Sequence, residues 1–381
     1  MGTIEFQLRE WNGESLTLEV VSESGVENLK FRFVHPITLR EDNLAVALST
    51  LCGTNFDCIR FGFPISAKAR EGIEQWTRSD VQAEPAFETT FSEHKRDNAV
   101  LNFSGGLDSL AAKFILGDDA TLVSLDLGGR FAREERFFRD FDPLVVQTNL
   151  VETSLRYNSW SFMGIGPLLL ADEIDDRYFA FGSILEAGQL RLGHSKSSRT
   201  TFPPFALGAY ESVAPVGGVS EAGTIAIVLA HRPDLLYMSL KSLASPGEEK
   251  YFRKIALAKV MTEVLGADSD IPELPHKQRV HYTFGQNFAV DLTAMFFVAF
   301  GYRGFAESIV DAVPDPIAAS VNEKNMAFML KADQDYYESY PEVLKPNLIS
   351  AFQHSGLEEY DASDYESVDE IRRLMKDFYD F

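Results

Sequence analysis

Cysteine is nearly absent from this chain: Cys52 and Cys58 are the only two in 381 residues. Two thiols cannot build a disulfide framework, which excludes a small disulfide-stapled scaffold and suits a reducing compartment. Both read as buried structural thiols. Basic charge is also scarce, with 35 Lys and Arg against 57 Asp and Glu and a net charge of −22. That surface repels a phosphate backbone, so no large tRNA- or DNA-binding face is expected, and solubility accounts for most of the charge. No apolar run is long enough to span a bilayer. Met1-Gly2-Thr3-Ile4-Glu5-Phe6 lacks a basic n-region and an apolar h-region, and Phe6 stands where a myristoylation signal needs Ser or Thr. A cytoplasmic protein without a membrane anchor is expected.

The common nucleotide signatures are missing too. There is no G-x-x-x-x-G-K-[ST], so the lysine and hydroxyl of a P-loop are not supplied. Gly164-x-Gly166 lies in an apolar, helical stretch and stops at Leu169, so it makes no dinucleotide fingerprint.

What the chain does have is Ser104-Gly105-Gly106-Leu107-Asp108-Ser109, directly after the apolar run Ala99-Val100-Leu101-Asn102-Phe103. A strand that stops at Ser-Gly-Gly and turns into a helix makes a phosphate cradle. The glycines let the backbone approach an anion without a Cβ in the way, and the helix N-terminus favours negative charge. Leu110 to Leu116 continue as the helix and Gly117 ends it. The bland alternative is a glycine turn that only links strand to helix.

Length allows two or three domains. Residues 1–95 read as a β-rich N-terminal domain, because Ile4–Leu8, Leu16–Val20 and Leu29–Phe33 alternate apolar with polar at period two. Asn12-Gly13 is a hairpin signal, and helices are expected near 43–51 and 67–76. From residue 98 the pattern alternates strand and helix: a strand at 121–125, a helix at 131–139, a strand at 144–146, a long helix at 159–173 and a strand at 178–181. That is an α/β, doubly wound parallel sheet, in which ligands bind at the carboxyl ends of the strands. Residues 235–240 read as a further strand. Ser245 with Glu248 and Ser367 with Glu370 read as capping boxes opening two helices. The remainder is a helical C-terminal region, giving segments 1–95, 96–270 and 271–381. Thirty phenylalanines are a high count, for the core or for an interface.

The run Ser-Gly-Gly-x-Asp-Ser resembles the signature of the PP-loop ATP pyrophosphatases, the adenine nucleotide alpha hydrolase-like superfamily. That superfamily includes asparagine synthetase, GMP synthetase, tRNA thiolases and 7-cyano-7-deazaguanine synthase. The resemblance implies ATP and Mg2+, with ATP split between its α- and β-phosphates and AMP placed on a substrate oxygen. In segment order the chain is most similar to 7-cyano-7-deazaguanine synthase, over roughly residues 98–301. Arg156-Tyr157-Asn158 resembles that family's Arg-Asn pair with one residue inserted, Gly182 its strand-end glycine, and Ser242 to Lys250 its Pro-Leu element and lysine without the first proline. The family's zinc-binding C-x-x-C-x-x-C is replaced by Phe288, Asp291 and Ala294, which cannot make a tetrahedral zinc site, so no zinc is expected and packing through Phe288 and Phe296 takes its place.

The resemblance implies these roles. Ser104, Gly105, Gly106, Leu107, Asp108 and Ser109 hold pyrophosphate, and Asp108 also reaches Mg2+, or else only caps the helix. Lys250 neutralises charge at the α-phosphate, or is an inert first-turn lysine. Leu125, Asp126 and Gly182 lie where adenine and ribose bind. Arg156 and Asn158 contact substrate, or Asn158 caps a helix. Arg191, His194, Lys196 and Arg199 form a lid over substrate, or a solvated loop.

The implied reaction is adenylation of a 7-carboxy-7-deazaguanine-like carboxylate, then amide formation with ammonia or an amine on a partner protein. Relatives of this kind occur in bacterial anti-phage clusters. A protein partner or acceptor and a homodimer are expected, and nucleic acid and membrane are not. The alternatives are a nucleotide-binding scaffold without turnover, or an asparagine synthetase-like amidating enzyme for another small carboxylate.

Overall fold

The computed structural model describes residues 2–86, 88, 91–94, 96–188, 190, 201–245, 247–275, 280 and 282–381. Packing divides the chain into two compact units, each discontinuous in sequence, unlike the contiguous segments read above. One comprises the described residues within Met1–Ser104, Asp119–Ala180 and Thr200–Val213; the other those within Gly105–Asp118, Phe181–Arg199 and Ala214–Phe381.

The first unit is built on one ten-stranded sheet. Its strands are β1 (Gly2–Trp11), β2 (Ser15–Ser22), β3 (Gly25–Phe33), β4 (Phe56–Phe61), β5 (Asp80–Gln82), β6 (Arg96–Asn102), β7 (Thr121–Asp126), β8 (Leu144–Thr148), β9 (Asp176–Ala180) and β10 (Glu211–Val213). Their spatial order is β10-β9-β6-β7-β8-β3-β2-β1-β4-β5. Pairing is parallel from β10 to β8, antiparallel from β8 through β3 and β2 to β1, and parallel again to β4 and β5. The chain is therefore α/β with a large, mostly parallel sheet. The period-two pattern has the expected consequence: Ile4 and Phe6, Leu16, Leu18 and Val20, and Leu29, Phe31 and Phe33 are all buried, alternating with more exposed neighbours.

Helices α1 (Glu41–Ser49), α2 (Ala67–Thr77), α4 (Ala132–Phe138), α5 (Ile165–Leu169) and α6 (Pro203–Leu207) belong to this unit. The long helix expected at 159–173 is not formed. A 3-10 segment, Trp160–Gly164, leads instead into the five-residue α5. Both glycines there serve close packing, since a Cβ on Gly164 would lie 2.4 Å from the Phe205 ring and one on Gly166 2.9 Å from Val123 Cγ1.

The second unit is helical. It holds α3 (Leu107–Leu116), α7 (Glu221–His231), α8 (Pro233–Leu243), α9 (Glu249–Leu265), α10 (Phe288–Ala299), α11 (Arg303–Ile309), α12 (Asp315–Ser320), α13 (Glu323–Met326), α14 (Lys345–Ser355) and α15 (Ala362–Met375). Helix α7 is its centre, packed by α3, α8, α9 and α14. The strand expected at 235–240 is part of α8. Pro233 sits in its first turn, and Leu236 and Leu240 are buried at helical spacing while Met238 is half exposed.

Neither expected capping box forms. Glu248 is the N-cap of α9 without a side-chain cap, its N–H bonding the Ser245 carbonyl at 2.9 Å. Helix α15 starts five residues before Ser367, where Asp361 and Asp364 make the reciprocal box. Ser367 then lies mid-helix and donates to the Ser363 carbonyl. Among the described residues, no helix is long and apolar enough to cross a membrane.

Candidate functional site

The glycine loop is built as its sequence demands. Beyond β6, Phe103 is tied to β7 at both ends of its peptide: its N–H bonds the Val123 carbonyl at 2.8 Å, and its carbonyl accepts from Ser124 Oγ at 2.6 Å. Gly105 has φ +74°, the left-handed region that a side chain resists. Gly106 is the extended N-cap of α3 and supplies no side-chain cap of its own. Two contacts within the helical unit fix this turn. Ser239 Oγ donates to the Gly105 carbonyl at 2.9 Å, and Ser109 Oγ donates to the Gly106 carbonyl at 2.9 Å. Gly182 lies so close that a Cβ there would be 2.8 Å from both Asp108 C and Ser109 N.

Asp108 leads into a buried cluster of charges in the same unit. Its carboxylate accepts from Thr224 Oγ1 at 3.1 Å and from Lys254 Nζ at 3.2 and 3.3 Å. Lys254, only 3% exposed, also forms an ion pair with Glu221, the first residue of α7. Arg253 donates to Glu221 at 2.6 Å and to Glu249 at 2.9 Å. Burial alone would push the Glu221 carboxyl up, but the charges of Arg253 and Lys254 outweigh it and hold it below the usual carboxylate range. Burial likewise opposes the charge on Lys254, and Asp108 and Glu221 keep that ammonium protonated. The result is a fixed cation that bridges an interior carboxylate and a partly exposed one at the helix start.

The other expected residues fall as follows. Lys250 is exposed in the first turn of α9, near enough to Glu221 to help hold it ionised. Leu125 and Asp126 end β7, where Asp126 Oδ1 accepts from the Gly128 N–H at 3.0 Å. Asp126 also lines a cavity of about 570 Å³ with Lys30, Arg32, Gln147 and Thr148. Arg156 stacks over the Tyr157 ring in a 3-10 turn. Asn158 spends its amide on the Leu51 carbonyl at 3.0 Å, while its own carbonyl accepts from Asn55. Arg191, His194, Lys196 and Arg199 lie outside the described residues.

At the place read as a lost cysteine cluster, Phe288 opens α10 and packs edge-on against Tyr379 and Phe381. Phe296 packs against Phe300 with its ring tilted by 36°. Asp291 is buried and accepts from the Gly285 N–H at 2.6 Å and Tyr379 Oη at 2.5 Å, with burial pushing its pKa up to about 6. Among the described residues, no three His, Cys, Asp or Glu side chains gather as a metal-binding group.

Sequence reasoning missed Lys254, Glu221, Glu186 and Thr224. The available signal was a charge on a buried face: Lys254 directly precedes the apolar Ile255-Ala256-Leu257-Ala258, and Glu221 opens a helix whose next nine residues are apolar or small. No protein-family model, curated protein or solved structure matches this chain.

Proposed function

We propose that this protein is an AMP-forming, ATP-dependent ligase built on a doubly wound fold of the PP-loop type. The observation that carries the reading is the start of α3: a Gly-Gly turn that leads from β6 into the helix, with Lys254 held beside Asp108 in its first turn. A glycine turn at a helix N-terminus suits phosphate, and the partly exposed Asp108 carboxylate beside it suits a hard divalent cation. Mg2+, when bound through Asp108, supplies charge neutralisation for the phosphates.

In this reading a carboxylate oxygen of the acceptor attacks the α-phosphorus of ATP. The bond to the β-phosphate oxygen breaks, and pyrophosphate leaves with the electron pair. The residues from Ser104 to Ser109 hold pyrophosphate at the helix terminus. Lys254 stabilises the charge that builds on it, with Lys250 as a more exposed cation one turn earlier. An amine then attacks the acyl carbon, AMP departs with the acyl–oxygen bonding pair, and the nitrogen loses a proton to give an amide. The acceptor class we favour is a 7-carboxy-7-deazaguanine-like carboxylate, and the amine is ammonia or a group on a partner protein, in a defence setting.

Incubation with Mg·ATP, candidate acids and an amine should release AMP and pyrophosphate in equal amounts, and Asp108→Ala should remove both. Chromatography that found ADP and phosphate instead would sink the reading. AMP formed only with an unrelated acid would sink the deazaguanine assignment alone.

A further inference from the structure

Glu186 is a buried acidic group beside the charge cluster to which the ATP reading gives no role. It sits in a 3-10 turn, Leu185–Gly188, soon after Gly182, and is 4% exposed. Its Oε1 accepts the backbone N–H of Glu221 at 2.8 Å, so the two carboxyl-bearing residues are directly linked. Its Oε2 is buried and has no hydrogen-bond partner among the described residues. Among the described residues no cation pairs with Glu186, whereas Glu221 takes both Lys254 and Arg253. Among the described residues the ionisable groups facing it are Glu221 from α7, Asp108 from α3 and Tyr360 ahead of α15, whose hydroxyl is also buried with no hydrogen-bond partner there. Helix α10, which packs on the same turn, contributes Thr293 to Glu221 rather than a charge.

Charge counting decides what Glu186 must be. Asp108, Glu221 and Glu249 are matched by Lys254, Arg253 and Lys250. A fourth negative charge would have no matching cation among the described residues, in a buried part of the cluster where an unpaired ion is costly. It would also compete for the cations, drawing Lys254 inward and away from Asp108. We infer that Glu186 is a positioning residue that stays a neutral acid, so that Lys254 divides itself between Glu221 and Asp108 alone and remains at the start of α3. Burial first, and the negative charge of Glu221 second, push its pKa up to about 8. The inference rests on the ATP reading and adds to it a pH limit on nucleotide binding that the loop alone would not impose.

Calorimetric titration of the full chain with Mg·ATP, from about pH 6.5 to about pH 9, tests it. If only the neutral form of Glu186 leaves Lys254 in place, one unit above its pKa the competent fraction is about a tenth, and affinity falls about tenfold. Glu186→Gln keeps the Oε1 acceptor and cannot ionise. It should match the wild type at the acid end and weaken less than about twofold across the range. Equal losses in the two proteins would overturn the inference while leaving the nucleotide reading intact. A tenfold defect of Glu186→Gln already at the acid end would also overturn it, since the charged form would then be the working one. Absence of Mg·ATP binding to the wild type at every pH would instead overturn the nucleotide reading and this inference with it.

Two further measurements guard against a variant that fails to fold. The infrared spectrum of the wild type at neutral pH should contain a protonated-carboxyl band that disappears as pH rises past about 8. Melting curves supply the second. A carboxyl whose pKa is raised on folding costs stability as pH climbs from its ordinary 4.5 to about 8, because over that span the unfolded chain ionises and the folded one does not. The melting temperature of Glu186→Gln should therefore gain on the wild type with rising pH through that window. A constant difference, or no infrared band, would overturn the neutral-acid assignment.

Discussion

Replacing Lys254 by alanine should reduce AMP formation by at least about a hundredfold and destabilise the fold, whereas Lys250→Ala should lower the melting temperature far less. The difference follows from burial. Lys254 has a side chain 4% exposed, against 2% for Glu221, and the two form an ion pair. Removing one partner of such a pair leaves a desolvated charge behind and costs about 3–5 kcal/mol. Arg253 still neutralises part of Glu221, which places the expectation near the lower end of that range. Lys250 is exposed, and no comparable hole opens when it is shortened. AMP chromatography and thermal melts on both variants decide the matter. A larger loss of AMP in Lys250→Ala would return the principal role to the lysine read from the family resemblance.

Gly182→Ala should be nearly as damaging, although it adds one methyl group. The atoms that a Cβ would meet are Asp108 C and Ser109 N at 2.8 Å and Asp108 O at 3.1 Å, all of them backbone. A side chain could rotate away, but the first turn of α3 cannot. Overpacking of this kind costs about 1–3 kcal/mol, and here the displaced atoms are those of the cradle itself. Mg·ATP affinity should fall at least about tenfold, with a lower melting temperature. Gly188→Ala is the control, because no described residue lies within 4 Å of a Cβ there. If both variants bind Mg·ATP like the wild type, the start of α3 is not the phosphate site.

The features legible in the sequence were those whose cause is local. Period-two alternation in β1, β2 and β3 follows from one buried face, and the left-handed φ of Gly105 follows from a turn that only glycine makes easily. Pairing of Phe31 with Thr148, which joins the first three strands to the parallel ones, had no local signal because its partners are far apart in the chain. Residues 235–240 misled because a short apolar run has no period of its own, and Pro233 was the only cue to a helix. Lys254 was missed for a similar reason. Its meaning depends on Glu221 and Asp108, which only packing brings to it.

The strand order has a consequence for solubility at high concentration. Both outermost strands, β5 and β10, are three residues long, whereas their inner neighbours β4 and β9 have six and five. A wide sheet is exposed to edge-to-edge aggregation in proportion to the unpaired backbone that it offers, and three-residue rims offer little template to another chain. Trp76, Phe202, Phe205 and Trp160 meet one another near α2 and α6, and Arg177 of β9 pairs with Glu211 of β10 to hold that rim closed. Stripping either short strand would uncover a longer edge. Such a change would turn a folding problem into a precipitation problem well before it altered any chemistry.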